Sequence, residues 1–259
     1  MPGNVLWGVH TALAANAAPD VLMIGDSWFW YPFDNLATEL GGRFPRSTFV
    51  VIGRNGAEAA EWSGTARKAI DFGFDMYAGS VRALMLSGGG NDVAGRDDFL
   101  RLLNTDCSAF SQIGQCWKAT QPLAIVTGIM NAYREVIVRF RAYNKSAPVF
   151  LHNYDHPWPT GAGVFGPADW LRDPMDLAKV RPAIQRELFT FLIDELGRAQ
   201  ALLAQEPGLG PVIAVGTAGA LPDTDGGKSW WANELHPTPA GFRRLVSARL
   251  GGAMAPTLA

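Results

Sequence analysis

Cysteine and histidine are scarce in this sequence, with two of the first and four of the second in 259 residues. Cys107 and Cys116 cannot build a disulfide framework, and alone they cannot build a zinc site. They form either two free thiols or one local bridge, and a reducing compartment favours the thiols. An excess of charge of one sign is also missing. Lys and Arg number 22 and Asp and Glu 24, for a net charge of -2. With no long basic run, electrostatic binding to nucleic acid or to an anionic membrane is not expected. No apolar stretch reaches the roughly 20 residues that span a bilayer. No Lys follows Gly88–Gly90 at phosphate-loop spacing and no GxGxxG occurs, so nucleotide binding is not expected either. Residues 4–18 are apolar and end in small side chains, like the tail of a leader peptide. No Lys or Arg precedes them and His10 interrupts them, so the expectation is a cytoplasmic protein. Internal repeats and low-complexity linkers are lacking, and residues 1–259 read as a single domain.

Apolar residues make up 48% of the chain and charged residues 18%, enough to bury a sizeable core. Five short apolar runs recur, at 21–24, 49–52, 83–86, 149–151 and 212–215. Runs of this length that are apolar on both faces and bounded by Gly suit strands buried in a parallel sheet. Between them lie helical periods. Residues 33–40 place Leu36 and Leu40 four apart, and 123–143 align Ile125, Ile129, Tyr133, Ile137 and Phe140. Residues 176–204 align Leu188, Leu192 and Leu196, with Pro182 setting an alternative, later start. Residues 238–250 open on Thr238-Pro239, an N-cap followed by Pro at the first helical position. This alternation predicts a three-layer α/β/α sandwich around a mostly parallel sheet of about five strands. Two segments break the pattern, 104–121 and 153–175. Both are long enough to be functional loops or inert surface loops.

Ligands of open α/β sheets gather beyond the carboxyl ends of the strands. There the sequence places Gly25-Asp26-Ser27-Trp28, Gly53-Arg54-Asn55-Gly56, Gly89-Gly90-Asn91-Asp92 and His152 to His156. Asn233-Glu234-Leu235-His236-Pro237 precedes the last helix. A serine on a strand-to-helix turn, a histidine, and Gly and Asn donors are the parts that acyl transfer through a serine ester needs. The serine needs a base to take its proton, and the carbonyl oxyanion needs N–H donors close by.

With these residues the chain resembles the SGNH (GDSL) hydrolases, named for Ser, Gly, Asn and His in four sequence blocks. Gly25-Asp26-Ser27 matches the first block, with Trp28 where the name has Leu. Gly56 stands where the second block places its glycine, with Gly53 as the alternative. Gly89-Gly90-Asn91-Asp92 matches the third and His236-Pro237 the last. The blocks run in order across residues 21–242. The resemblance implies a flavodoxin-like fold and ester hydrolysis with no cofactor and no metal. It further implies Ser27 as nucleophile, His236 as base, and the Ser27 amide, the Gly56 amide and the Asn91 side chain as oxyanion donors.

One position departs from the family pattern. The family has Asp three residues before the histidine, and this chain has Asn233. An Asn can accept the imidazole N–H, but it brings no charge and can turn its amide the wrong way. In a serine protease the same exchange costs about 10⁴ in kcat. The orienter of His236 is therefore Asn233 or a backbone carbonyl, or else Glu234, Asp223 or Asp225. Trp28, Tyr154 and Trp158 are read as a wall for a short acyl chain or a glycan O-acetyl group. The expected partner is a small-molecule or glycan ester. Three rivals share these residues: an O-acyltransferase, a metal-dependent phosphoesterase using Asp26, Asp92, His152 and His156, and a carbohydrate-binding protein without turnover.

Overall fold

The computed structural model describes residues 2–259. Six strands are found among them: β1 (Val5–Trp7), β2 (Val21–Gly25), β3 (Phe49–Gly53), β4 (Ala83–Ser87), β5 (Val149–His152) and β6 (Val212–Val215). They form one sheet in the order β1-β3-β2-β4-β5-β6, with every neighbouring pair parallel. Every residue of β2, β4 and β5 is buried. Helices cover both faces of a central parallel sheet, which explains why these strands read as unbroken apolar runs. The predicted α/β/α sandwich is the observed architecture, with one strand more than expected. β1 escaped the sequence reading because it is three residues long and lies in the stretch that resembles a leader. It is fixed by pairing Val5, Leu6 and Trp7 with Phe49, Val50 and Val51.

Two groups of helices flank the sheet. Gln121–Arg141 and Pro182–Leu203 pack against each other, and Leu36–Arg43, Pro239–Leu245 and Gly251–Leu258 form the other group. Pro182 is the first residue of its helix, the later of the two expected starts, and a separate short helix, Arg172–Leu177, precedes it. Proline is tolerated there because the first helical N–H has no partner in any case. Thr238 caps Pro239–Leu245 as expected, its hydroxyl accepting from the Gly241 amide at 3.2 Å. Asn35 caps Leu36–Arg43 through its side-chain oxygen, 2.9 Å from the Thr38 amide.

The two irregular segments are anchored rather than loose. Within 104–121, Ile113–Cys116 makes a single turn, and Leu103 bridges to Trp117 across its base. Cys107 and Cys116 are free and buried. Burial pushes the Cys107 thiol up to about 12, so it holds its proton at neutral pH. Segment 153–175 is clasped from inside by two carboxylates. Asp155 accepts from the amides of His156, Gly219 and Leu221, and Glu234 from those of Gly161, Leu171 and Arg172.

At the carboxyl end of the sheet, β2 and β3 finish on facing glycines, Gly25 and Gly53. Gly53 has φ +140, and a Cβ on it would lie 1.9 Å from the Gly25 carbonyl oxygen. Only glycine permits both the dihedral and the approach. The two strand ends therefore stay in contact while the chain turns out of β2 into Asp26 and Ser27.

Candidate active site

Ser27 begins the short helix Ser27–Trp30 directly after β2. Asp26 caps that helix, its Oδ1 accepting from the Trp28 amide at 3.0 Å. The same carboxylate accepts from the Ser87 hydroxyl at 2.9 Å and from the Tyr154 hydroxyl at 2.6 Å. Burial raises the Asp26 carboxyl to about 6, against the pull of these three donors. Asp26 is thus a brace that ties β2, β4 and the residues after β5 together behind the serine. The Ser27 amide, at the first helical position, has no intrahelical acceptor.

Ser27 Oγ lies 2.7 Å from His236 Nε2, although 209 residues separate them in sequence. On the other side of the ring, Nδ1 lies 3.0 Å from Asn233 Oδ1. That oxygen also accepts from the main-chain amides of Leu235 and His236, each at 2.9 Å. Two fixed N–H donors demand an oxygen there, so the Asn233 amide cannot be turned the other way. Its nitrogen donates to the Tyr31 hydroxyl at 3.0 Å. Oδ1 must therefore receive the Nδ1 proton, and the Nε2 lone pair faces the serine hydroxyl. Burial lowers the imidazole to about 3, so it is neutral and able to accept a proton. The Tyr31 ring lies flat on the imidazole, with centroids 4.1 Å apart and planes 4° from parallel. Trp170 meets the imidazole edge-on at 6.2 Å.

The other proposed orienters are engaged elsewhere. Glu234 is fully buried and faces away from the ring onto the three amides of segment 153–175. Asp223 pairs with Arg186 at the surface. The Asp225 side chain lies outside what is described.

Asn91 sits in the short helix Gly90–Val93 after β4 and lines the cleft at Ser27. One N–H of its amide donates to the Ala57 carbonyl at 3.0 Å. Asp92 next to it accepts from the Ala59 and Ala60 amides at 2.8 and 3.2 Å. Asn91 and Asp92 therefore lock the loop after β3 onto the loop after β4. Gly56 lies one residue before Ala57, on the exposed part of that loop with φ +71. It does not line the cleft as Asn91 does.

The cleft is small, about 30 Å³, with Trp28, Tyr154, Pro157 and Trp231 among its walls. Trp28 lines the cleft, its ring edge-on to Tyr154 at 5.0 Å and its N–H donating to the Leu235 carbonyl at 3.0 Å. Tyr154 lines the cleft, but its hydroxyl is committed to the interior. It donates to Asp26 and accepts from the Gly90 amide at 3.1 Å. Its φ of +61 is unusual for an aromatic residue and delivers the ring to this position. Trp158 is not among the residues that line this cleft. Its ring is covered by Arg186 at 3.6 Å and Lys228 at 5.1 Å, both in cation–π contact with it. The four residues of the metal rival do not converge. Asp26 and Asp92 are spent on the donors above, and His156 pairs with Asp194 at 2.8 Å. His152 is buried against Trp28, which keeps it neutral, its pKa lowered to about 3.

Tyr31 escaped the sequence reading altogether. It belongs to the aromatic run Trp28-Phe29-Trp30-Tyr31, where nothing local marks one ring over the others. Only the return of the chain at Asn233–His236 gives it a role.

A scan against protein-family models and a search of curated proteins find no match to this chain. Solved structures do share its fold. One is a Streptococcus pneumonia protein provisionally described as a platelet activating factor, with 17% identity and a TM-score of 0.55 over 96% of this chain and 88% of that one. Another is a carbohydrate esterase family 3 protein from Talaromyces cellulolyticus, with 12% identity and a TM-score of 0.53 over 93% and 98%. A third is a serine-to-alanine mutant of an acetyl esterase with acetate ion, with 13% identity and a TM-score of 0.52 over 93% and 98%. At these identities the likeness establishes the α/β fold.

Proposed function

We propose that the protein is a serine-dependent carboxylic ester hydrolase of the SGNH type, acting on esters of short acyl groups such as O-acetyl esters. The observation that carries this reading is the unbroken line Ser27 Oγ, His236 Nε2, His236 Nδ1, Asn233 Oδ1, at 2.7 and 3.0 Å. Nucleophile and base in hydrogen-bond contact, with the base oriented by a third group, are the arrangement that activates a serine hydroxyl. The esterase names of two structures sharing the fold point the same way.

In the first half-reaction Ser27 Oγ bonds to the ester carbonyl carbon and its proton passes to His236 Nε2. The oxyanion takes the Ser27 amide and the second N–H of Asn91, both at the cleft, whereas Gly56 stands outside it. Such donors are each worth about 10²–10³ in rate. The carbon–oxygen bond to the alcohol then breaks as His236 returns its proton to the leaving oxygen. Water attacks the acyl-serine next. His236 takes one water proton, and on collapse gives it to Ser27 Oγ as the carboxylic acid departs.

The size of the cleft supports the acyl class. A water needs roughly 10–15 Å³ of such space, so a cleft of about 30 Å³ beside Ser27 has room for a methyl-sized group. On the His236 side, where the alcohol leaves, Tyr31 continues into Phe33 and Phe165, which are 59% and 91% exposed. These rings offer an open shelf for the alcohol part. The test is hydrolysis of p-nitrophenyl acetate, butyrate and octanoate by wild type and Ser27→Ala. The acetate should be turned over best and Ser27→Ala should be inactive with an unchanged far-UV spectrum. Activity retained by Ser27→Ala would refute the proposal, and preference for octanoate would refute the acyl class.

A further inference from the structure

We infer that Tyr31 is a positioning residue that replaces the missing third acid of the triad, its hydroxyl holding the Asn233 amide in register and its ring face carrying the charge that forms on His236. The inference rests on the ester-hydrolase reading and adds a residue that no sequence block marks.

The problem Tyr31 solves is electrostatic. When His236 takes the Ser27 proton it becomes an imidazolium in a buried site. A cation there is costly unless something opposite in charge or quadrupole faces it. Among the described residues no carboxylate hydrogen-bonds His236. Asn233 is neutral, Glu234 is turned away onto three amides, and Asp26 is committed to Trp28, Ser87 and Tyr154. The face of an aromatic ring carries partial negative charge, and cations within about 6 Å of its centroid are attracted to it. The Tyr31 ring lies 4.1 Å from the imidazole ring and almost parallel to it. Its effect is stronger in the charged state than in the neutral one, which is the condition for lowering a barrier rather than merely binding.

The hydroxyl does separate work. Asn233 Nδ2 donates to Tyr31 Oη at 3.0 Å. This completes the hydrogen bonding of an amide whose oxygen already serves His236 Nδ1 and two main-chain amides. A carboxylate at 233 would need neither service. It has no wrong orientation, and it brings its own charge.

That difference gives the test. Tyr31→Leu removes ring and hydroxyl, Tyr31→Phe removes the hydroxyl alone, and each is made in the wild-type and the Asn233→Asp background. Kinetics are measured with p-nitrophenyl acetate, beside Ser27→Ala. In the wild-type background Tyr31→Leu should lower kcat about thirtyfold, the worth of a desolvated cation–π contact, with KM within about twofold. Tyr31→Phe should lower kcat about three- to tenfold, the worth of one hydrogen bond. In the Asn233→Asp background both costs should shrink to threefold or less, a strongly non-additive cycle. A residue that only props the fold would cost the same in both backgrounds, and that result overturns the inference. Should Tyr31→Leu fail to fold, the Tyr31→Phe pair decides it alone: equal losses in both backgrounds overturn the role, loss confined to wild type supports it. Activity surviving in Ser27→Ala would instead sink the hydrolase reading itself, so the two failures are told apart.

Discussion

Replacing Asn233 with alanine removes one oxygen that serves three donors: the Leu235 amide at 2.9 Å, the His236 amide at 2.9 Å and His236 Nδ1 at 3.0 Å. The hydrogen bond to Nδ1 is worth about 1 kcal/mol net, and without it the imidazole also populates the tautomer whose Nε2 bears the proton and cannot accept from Ser27. Together these losses amount to about ten- to a hundredfold in kcat/KM. Two main-chain amides lose their acceptor as well, at about 1–3 kcal/mol of stability if they stay dry. Glu234→Gln is the matched control one residue along. It sets an NH₂ group against amides that need an acceptor, so it should lower stability by a similar amount while leaving kcat/KM within about threefold. Initial rates with p-nitrophenyl acetate and urea unfolding midpoints measure both quantities on both proteins. If Asn233→Ala loses less than about tenfold in kcat/KM and Glu234→Gln loses much more, Glu234 is the orienter and the assignment made from the hydrogen bonds is wrong.

Further expectations follow from the same contacts. Burial holds His236 as a neutral base until the pH falls to about 3, well below the ordinary imidazole value. A carboxylate at 233 stabilises the imidazolium and raises that value, so in Asn233→Asp the acid limb of kcat/KM should move to higher pH. Profiles of the two proteins from about pH 3 to pH 8 check this, and coincident limbs would contradict it. Tyr154→Phe strips a donor from Asp26 and an acceptor from the Gly90 amide. It should cost about 1–3 kcal/mol in urea unfolding, and no loss would mean that the bridge carries no weight. Gly53→Ala sets a Cβ 1.9 Å from the Gly25 carbonyl oxygen at φ +140. The variant should be unfolded or severely destabilised by thermal melt, and a wild-type melt would show that the strand ends part easily.

The strands at the centre of the sheet were legible because burial on both faces writes them as unbroken apolar runs, whereas β1 borrows its structure from pairing with β3 and leaves almost no local signal. Ser27 and His236 were legible as candidates because the turn after β2 and the segment before the last helix carry their residue types at fixed spacing. Three things were not. Whether Asn233 or Glu234 faces the ring depends on which way a short irregular segment turns, and that is decided by amides at Gly161, Leu171 and Arg172 far away in sequence. Trp158 reads as a cleft wall until Arg186 and Lys228 are brought onto it. Tyr31 matters only because two distant segments meet, and residue type alone says nothing of that meeting.

The central claim is that Ser27 is the nucleophile that His236 activates. Incubation with diethyl p-nitrophenyl phosphate, followed by peptide mass spectrometry, reads this directly. A single diethylphosphoryl group should appear on Ser27, in step with loss of esterase activity, and Ser27→Ala should remain unlabelled. Full inactivation with the label on another residue, or persistent ester hydrolysis after Ser27 is fully labelled, would contradict the account.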